Sequence, residues 1–148
     1  MHVLIATDGS DVSIDSARRG CTMLAGADDV TLLTVTSDDM AGDDAGGIEG
    51  PVLTADEEAK LQAEELANAR EELARTVAAL GSTSVAELIE PGDPAEVICR
   101  TAKRLKSDVI VVGSHGRTGF GRLFFGSVSE HVVRHAPCPV LVVRSPDD

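Results

Sequence analysis

Short apolar runs alternate with longer amphipathic stretches along the whole chain. Val3 to Thr7 is an apolar run of strand length, closed by the turn signal Asp8-Gly9-Ser10. Ser10 or Asp11 can cap the helix predicted next, which runs to about Leu24. Val30 to Val35 is rich in β-branched residues and predicts a second strand. Thr36 to Leu53 breaks the pattern with paired aspartates and several glycines, and predicts a long polar loop. Its segment Asp38 to Pro51 reads as a surface insertion, with a lid over a ligand as the alternative. Thr54-Ala-Asp-Glu57 has the form of a capping box. The helix that follows carries Leu66, Leu73, Val77 and Leu80 at near-helical spacing and stops at Gly81.

Ser84 to Ile89 predicts a third strand. Asp93 then suits a helix N-cap, with Pro94 at the first helical position, and that helix runs to about Lys106. Val109 to Val112 is apolar at every position, the mark of a strand buried on both faces. A Gly-rich basic loop from Gly113 to Gly126 leads to a short helix, Ser127 to His135, and a last strand, Pro139 to Val143. The order is βαβαβαβαβ, which predicts an α/β protein: a five-stranded parallel sheet with helices on both faces and right-handed crossovers. A length of 148 residues without an internal repeat fits one domain, residues 1–148.

Composition narrows the function. Aromatic residues make up 2% of the chain, with no Trp or Tyr, which leaves no platform for stacking single-stranded bases. A formal net charge of −12 argues against nucleic acid and anionic membranes as partners. The charge is uneven: Asp38 to Glu72 holds twelve acidic residues against Lys60 and Arg70, whereas Arg100 to Arg144 holds eight basic residues against Asp108 and Glu130. The locally basic last third is a candidate anion site, or a chance excess beside a solvated acidic helix. Three Lys against ten Arg in so acidic a chain suits a salt-rich cytoplasm, or an ordinary acidic cytosolic protein. Cys21, Cys99 and Cys138 are scattered, without zinc spacing, and read as small buried hydrophobes in a reducing compartment. The N-terminus enters an apolar run at once, without the basic segment of a signal peptide, and no apolar stretch approaches a membrane span.

Two strand ends carry unusual residues: Asp8-Gly9-Ser10 after the first, and the segment from Gly113 to Ser127 after the fourth. A strand order of 3-2-1-4-5 sets those ends side by side at the point where the winding reverses, which is where open parallel sheets bind ligands. Glycines let backbone approach an anion, successive N–H groups form a concavity for it, and Gly126-Ser127 opens a helix with unsatisfied N–H groups. His115, Arg117 and Arg122 add donors or positive charge. A triphosphate cradle follows from these residues, but so does a plain connector in which Ser127-Val-Ser-Glu130 caps its own helix. Asp8 likewise either faces a ligand or orders its own turn. His115 reads as a loop or solvent residue rather than a general base. His131 and His135, an i, i+4 pair, lack a third metal ligand nearby and read as structural.

From end to end the chain resembles the universal stress protein family. The resemblance is carried by Ala6-Thr7-Asp8-Gly9-Ser10 with Ser13 and Ala17, by Pro91-Gly92-Asp93-Pro94, and by Ser107 to Glu130 continuing into Cys138 to Val143. The family's ATP signature, G-x2-G-x9-G-[ST], is met at Gly113, Gly116, Gly126 and Ser127. The resemblance implies a three-layer, Rossmann-like sheet of the adenine nucleotide α-hydrolase-like kind. It implies that Thr7 lines the adenine pocket, that Asp8 accepts hydrogen bonds from the ribose or adenine side, and that Val35 offers backbone groups to the adenine edge. Gly113 and Gly116 would let the chain pass close to ribose and phosphates, with His115 and Arg117 between and beside them. Gly126, Ser127, Val128 and Ser129 would bind the phosphates, and Mg2+ or Mn2+ would ride on them. A homodimer through the edge strand Val140 to Val143 is also implied, since exposed apolar edges invite pairing.

The expected function is therefore a cytoplasmic, ATP-binding, nucleotide-dependent stress-response regulator. The alternatives are an interaction module of the same fold that binds no nucleotide, and a slow ATPase. The sequence has no Gly-Lys pair for a Walker loop, no G-x-G-x-x-G and no nucleophile with a neighbouring base, so hydrolysis is expected to be weak at most.

Overall fold

A computed structural model describes residues 1–36, 54–81, 84–114 and 126–144. The elements in chain order are β1 (His2–Ala6), α1 (Asp11–Met23), β2 (Asp29–Thr36), α2 (Ala55–Leu80), β3 (Val85–Pro91), α3 (Pro94–Leu105), β4 (Val109–Gly113), α4 (Ser127–His135) and β5 (Val140–Val143). The strands form one parallel sheet in the order β3-β2-β1-β4-β5. This is the expected order, and it makes β1 and β4 neighbours at the centre.

Alternation along the strands divides the core into two layers, because successive side chains point to opposite faces. Val3, Ile5, Leu32, Val109 and Val111 pack with Ala17 of α1 and Leu73 of α2 on one face. Leu4, Leu33, Ile110 and Val112 pack with Val97, Ile98 and Ala102 of α3 and Val132 of α4 on the other. The central strands are therefore apolar on both faces, and β4 is buried from Val109 to Val112. The three cysteines are partly buried, and burial raises the pKa of each thiol.

Local chemistry sets the boundaries. Ser10 caps α1 by accepting the Ser13 N–H at 3.2 Å. Thr54 and Glu57 form the reciprocal capping box of α2, and Gly81 ends that helix at φ 62. Asp93 accepts the Glu96 N–H at 3.0 Å to start α3, with Pro94 inside the first turn.

Most strand ends shift by one residue from expectation, and two local features differ further. The third strand extends to Pro91, because β2 also runs on to Thr36 and pairs with it. Proline is tolerated there because β3 is an edge strand. The N-cap of α4 is Gly126, with no side-chain cap hydrogen bond, so Ser127 occupies the first helical position and does not cap its own helix. The Asp38 to Pro51 loop lies outside the described residues.

Candidate functional site

The chain leaves the C-terminal ends of β1 and β4 in opposite directions. From β1 it turns into α1 on one face and goes on to β2; from β4 it goes through α4 on the other face to β5. The divergence opens a cleft of about 280 Å3 between the two ends.

The cleft has two chemically different sides. Ala6, Leu33, Val35 and Val112 from the sheet, with Pro94 and Ile98 from α3, form an apolar side. These strand residues belong to the face covered by α3 and α4, so strand alternation itself aims them at the cleft. Thr7, Asp8, Ser13, Gly113, Ser114 and the first turn of α4, Gly126 to Ser129, form a polar side.

The polar side is closely organised. Ser114 donates its N–H to the Val143 carbonyl at 2.9 Å, and its own carbonyl accepts the Gly126 N–H at 2.8 Å. The Ser129 hydroxyl donates to the Gly126 carbonyl at 2.9 Å and reaches the Ser114 carbonyl at 3.4 Å. These bonds pin the start of α4 to the end of β4. With a glycine at the cap, the first turn meets the cleft as backbone N–H groups and small side chains, where a helix favours negative charge.

At the end of β1, Asp8 orders its own turn: Oδ1 accepts the Ser10 N–H at 3.0 Å and the Ser10 hydroxyl at 2.6 Å. The turn-ordering alternative is thus realised, while Asp8 still lines the cleft. Gly9 sits at φ 69, and a Cβ there would lie 2.4 Å from Glu72 Cγ, so the turn presses directly on α2. Thr7 is buried, and its N–H donates to the Leu33 carbonyl at 3.0 Å. Thr36, by contrast, accepts the Gly92 N–H on the β3 side. Backbone groups alternate along a strand, so those of Val35 point to the Leu33 side, past the last bond to β1 and toward the cleft.

The structure therefore brings together Thr7, Asp8, Val35, Gly113, Gly126, Ser127, Val128 and Ser129. His115, Gly116 and Arg117, and with them Arg122, lie outside the described residues. His131 and His135 lie along α4 away from the cleft lining, ring centroids 4.2 Å apart, and the His135 Nδ1–H donates to the His131 carbonyl at 2.9 Å. Among the described residues no three His, Cys, Asp or Glu are grouped to hold a metal ion. Sequence reasoning did not assign Ser13, Ser114, Pro94 or Ile98 to the site. The signal for Pro94 and Ile98 was the N-capped start of α3, which has to fall beside the C-terminal ends of the strands.

An open parallel α/β sheet with a half-apolar, half-polar cleft at its switch point defines a class of small-ligand-binding proteins. Comparison with known proteins gives the family. Residues 1–144 match the model of the universal stress protein family, and the chain belongs to that family. Universal stress protein MJ0531 of Methanocaldococcus jannaschii is 33% identical over 144 residues, covering 97% of this chain and 82% of that one. Among solved structures, that of the hypothetical protein MJ0577 superposes with a TM-score of 0.78 at 25% identity, covering 99% of this chain and 97% of the other. A universal stress protein in complex with cAMP superposes with a TM-score of 0.63 at 28% identity, covering 97% and 96% of the two chains.

Proposed function

We propose that this chain is an ATP-binding universal stress protein, in which occupancy of the cleft sets the state of a nucleotide-dependent stress-response regulator. The observation that carries the reading is the glycine-capped first turn of α4, pinned to the end of β4 and facing the cleft opposite an apolar slot. In this reading the base occupies the slot between Val35, Pro94 and Ile98, with the Val35 backbone at its edge. Asp8 and Thr7 flank the sugar. Phosphates meet the N–H groups of Ser127, Val128 and Ser129, with Gly113 and Gly126 allowing close approach, and the signature residue Gly116, with His115 and Arg117, would add to nucleotide binding. The related protein in complex with cAMP supports an adenine nucleotide as the ligand class.

The described cleft lining contains one carboxylate, Asp8, and its Oδ1 is engaged by Ser10. A Mg2+ or Mn2+ ion would accordingly be carried by the phosphates rather than caged by carboxylates. No nucleophile with a base beside it stands among the described lining residues, so the proposal is regulation by binding, with slow hydrolysis at most. We further propose that the chain acts as a single domain in the cytoplasm, and as a homodimer through the edge strand β5, whose Val140, Leu141 and Val142 are only partly covered.

Gly126→Val tests the site. A branched side chain at the cap obstructs the approach of phosphates to the helix N-terminus. Calorimetry should show ATP affinity falling at least about tenfold, while circular dichroism remains that of the wild type. Undiminished affinity in a folded variant contradicts the assignment.

A further inference from the structure

Three buried hydroxyls meet beneath the turn that follows β1: Thr7, Ser13 of α1 and Thr76 of α2. Thr7 and Ser13 line the cleft, and Thr76 stands behind them in the α2 layer. The Thr76 hydroxyl donates to the Glu72 carbonyl at 2.8 Å, and the Ser13 hydroxyl donates to the Ser10 carbonyl at 3.0 Å. A carbonyl only accepts, so both of those protons are committed. Thr7 Oγ1 accepts the Gly9 N–H at 3.2 Å. It also lies 3.1 Å from Ser13 Oγ and 3.2 Å from Thr76 Oγ1, with one proton to give. Three hydroxyl protons thus serve four contacts, and one contact between buried oxygens always goes without. The two choices open to Thr7 are nearly equal in length, one toward α1 and one toward α2.

A ligand hydroxyl that donates to Ser13 Oγ from the cleft supplies the donor that Ser13 lacks once Thr7 turns to Thr76. Ser13 then accepts from the ligand, Thr76 accepts from Thr7, and each of the three hydroxyls both donates and accepts. We propose that Ser13 binds a sugar hydroxyl of the ligand, and that Thr7 and Thr76 pass this event to α2 as positioning residues. The close seating of Gly9 against Glu72, on the same stretch of α2, gives the signal a rigid path. The inference rests on the reading of the cleft as a nucleotide site and adds to it a dependence on the sugar hydroxyls.

The test compares ATP with dideoxyATP, which lacks both sugar hydroxyls, on the full wild-type chain. Calorimetry measures binding, and amide hydrogen exchange is followed over Ala69 to Leu80 at saturation. ATP should slow exchange there by roughly two- to tenfold, the range of one added hydrogen bond, and dideoxyATP should leave it unchanged. Thr76→Val should bind ATP within a fewfold of wild type yet lose the slowing, and Thr76→Ser should restore it. Equal slowing by saturating dideoxyATP, slowing that persists in Thr76→Val, or ATP binding without any slowing in wild type each overturns the relay alone. If neither nucleotide binds, the relay and the nucleotide reading fall together.

Discussion

Asp8 shows how one residue can serve both the fold and the site. Its Oδ1 fixes the turn through Ser10, and its position places a carboxylate in the cleft. Asp8→Asn keeps an acceptor for the turn and should melt within a few degrees of wild type. Asp8→Ala should lower ATP affinity by about tenfold or more, the loss expected for hydrogen bonds to a charged group, and should lower stability by less than it lowers binding. Equal affinity of Asp8→Ala and wild type in calorimetry would leave Asp8 as a turn residue alone. The polar half of the site was legible because its residues are chemically unusual after a strand: Asp8, Gly113, Gly126 and Ser127 announce themselves. Of the apolar half only Val35 was expected, from the family resemblance. Pro94 and Ile98 have the sequence signature of any amphipathic helix, and their part in the cleft comes from where α3 lands on the sheet. Ser127 was ambiguous for a different reason: with Glu130 three residues on it satisfies the capping pattern, and only the backbone shows that Gly126 takes the cap.

At the scale of elements, close contact and backbone strain make specific demands. Gly20 lets α1 approach β4 so closely that a Cβ would lie 2.6 Å from Val111 Cγ1. Gly20→Val should therefore destabilise the protein by roughly 1–3 kcal/mol, the cost of overpacking, as read by urea unfolding. Lys106 ends α3 at φ 53, a left-handed conformation that glycine adopts freely. Lys106→Gly should raise stability by about 0.5–1 kcal/mol, and a loss in the same assay would contradict this account of the helix end. Within α1, Asp15 is held by Arg18 at 2.8 Å and Arg19 at 2.7 Å, and the Arg18 hydrogen bond foremost lowers its pKa. A carboxyl with a pKa lower in the folded state contributes stability above its unfolded pKa and loses it as pH falls through the lowered value. Asp15→Asn should accordingly lower stability at neutral and alkaline pH alike and flatten the acid limb, the two proteins converging as the pH falls. The element order and the strand order followed from the alternation of apolar runs and amphipathic helices. The largest departure is the end of β3, because Pro91 signals a turn in the sequence but pairs with Thr36 at the sheet edge; most other strand ends shift by one residue.

For the whole molecule, charge is distributed by layer. Helix α2 carries seven acidic residues against three basic, whereas α3 carries three basic against one acidic. The basic excess thus lies in the layer of α3, and the acidic excess in the layer of α2. A net charge of −12 repels itself at low ionic strength, so added salt should raise the melting temperature before any specific ion effect enters. Among the described residues no helix is long and apolar enough to cross a membrane. The proposed dimer through β5 should appear as a two-chain mass in light scattering at physiological salt and dissociate when Val142 is replaced by Pro, which cannot donate a backbone hydrogen bond across the edge. A wild-type monomer under those conditions would remove β5 as an interface.

The most direct test of the nucleotide reading is calorimetric titration of the intact chain with Mg-ATP, paired with the melting temperature of the same sample. The account predicts saturable binding of one nucleotide per chain and a melting temperature that climbs with ATP concentration, as required of a ligand that binds the native state. Absence of both heat and thermal shift at millimolar Mg-ATP would contradict it and leave the fold as an interaction module without a nucleotide.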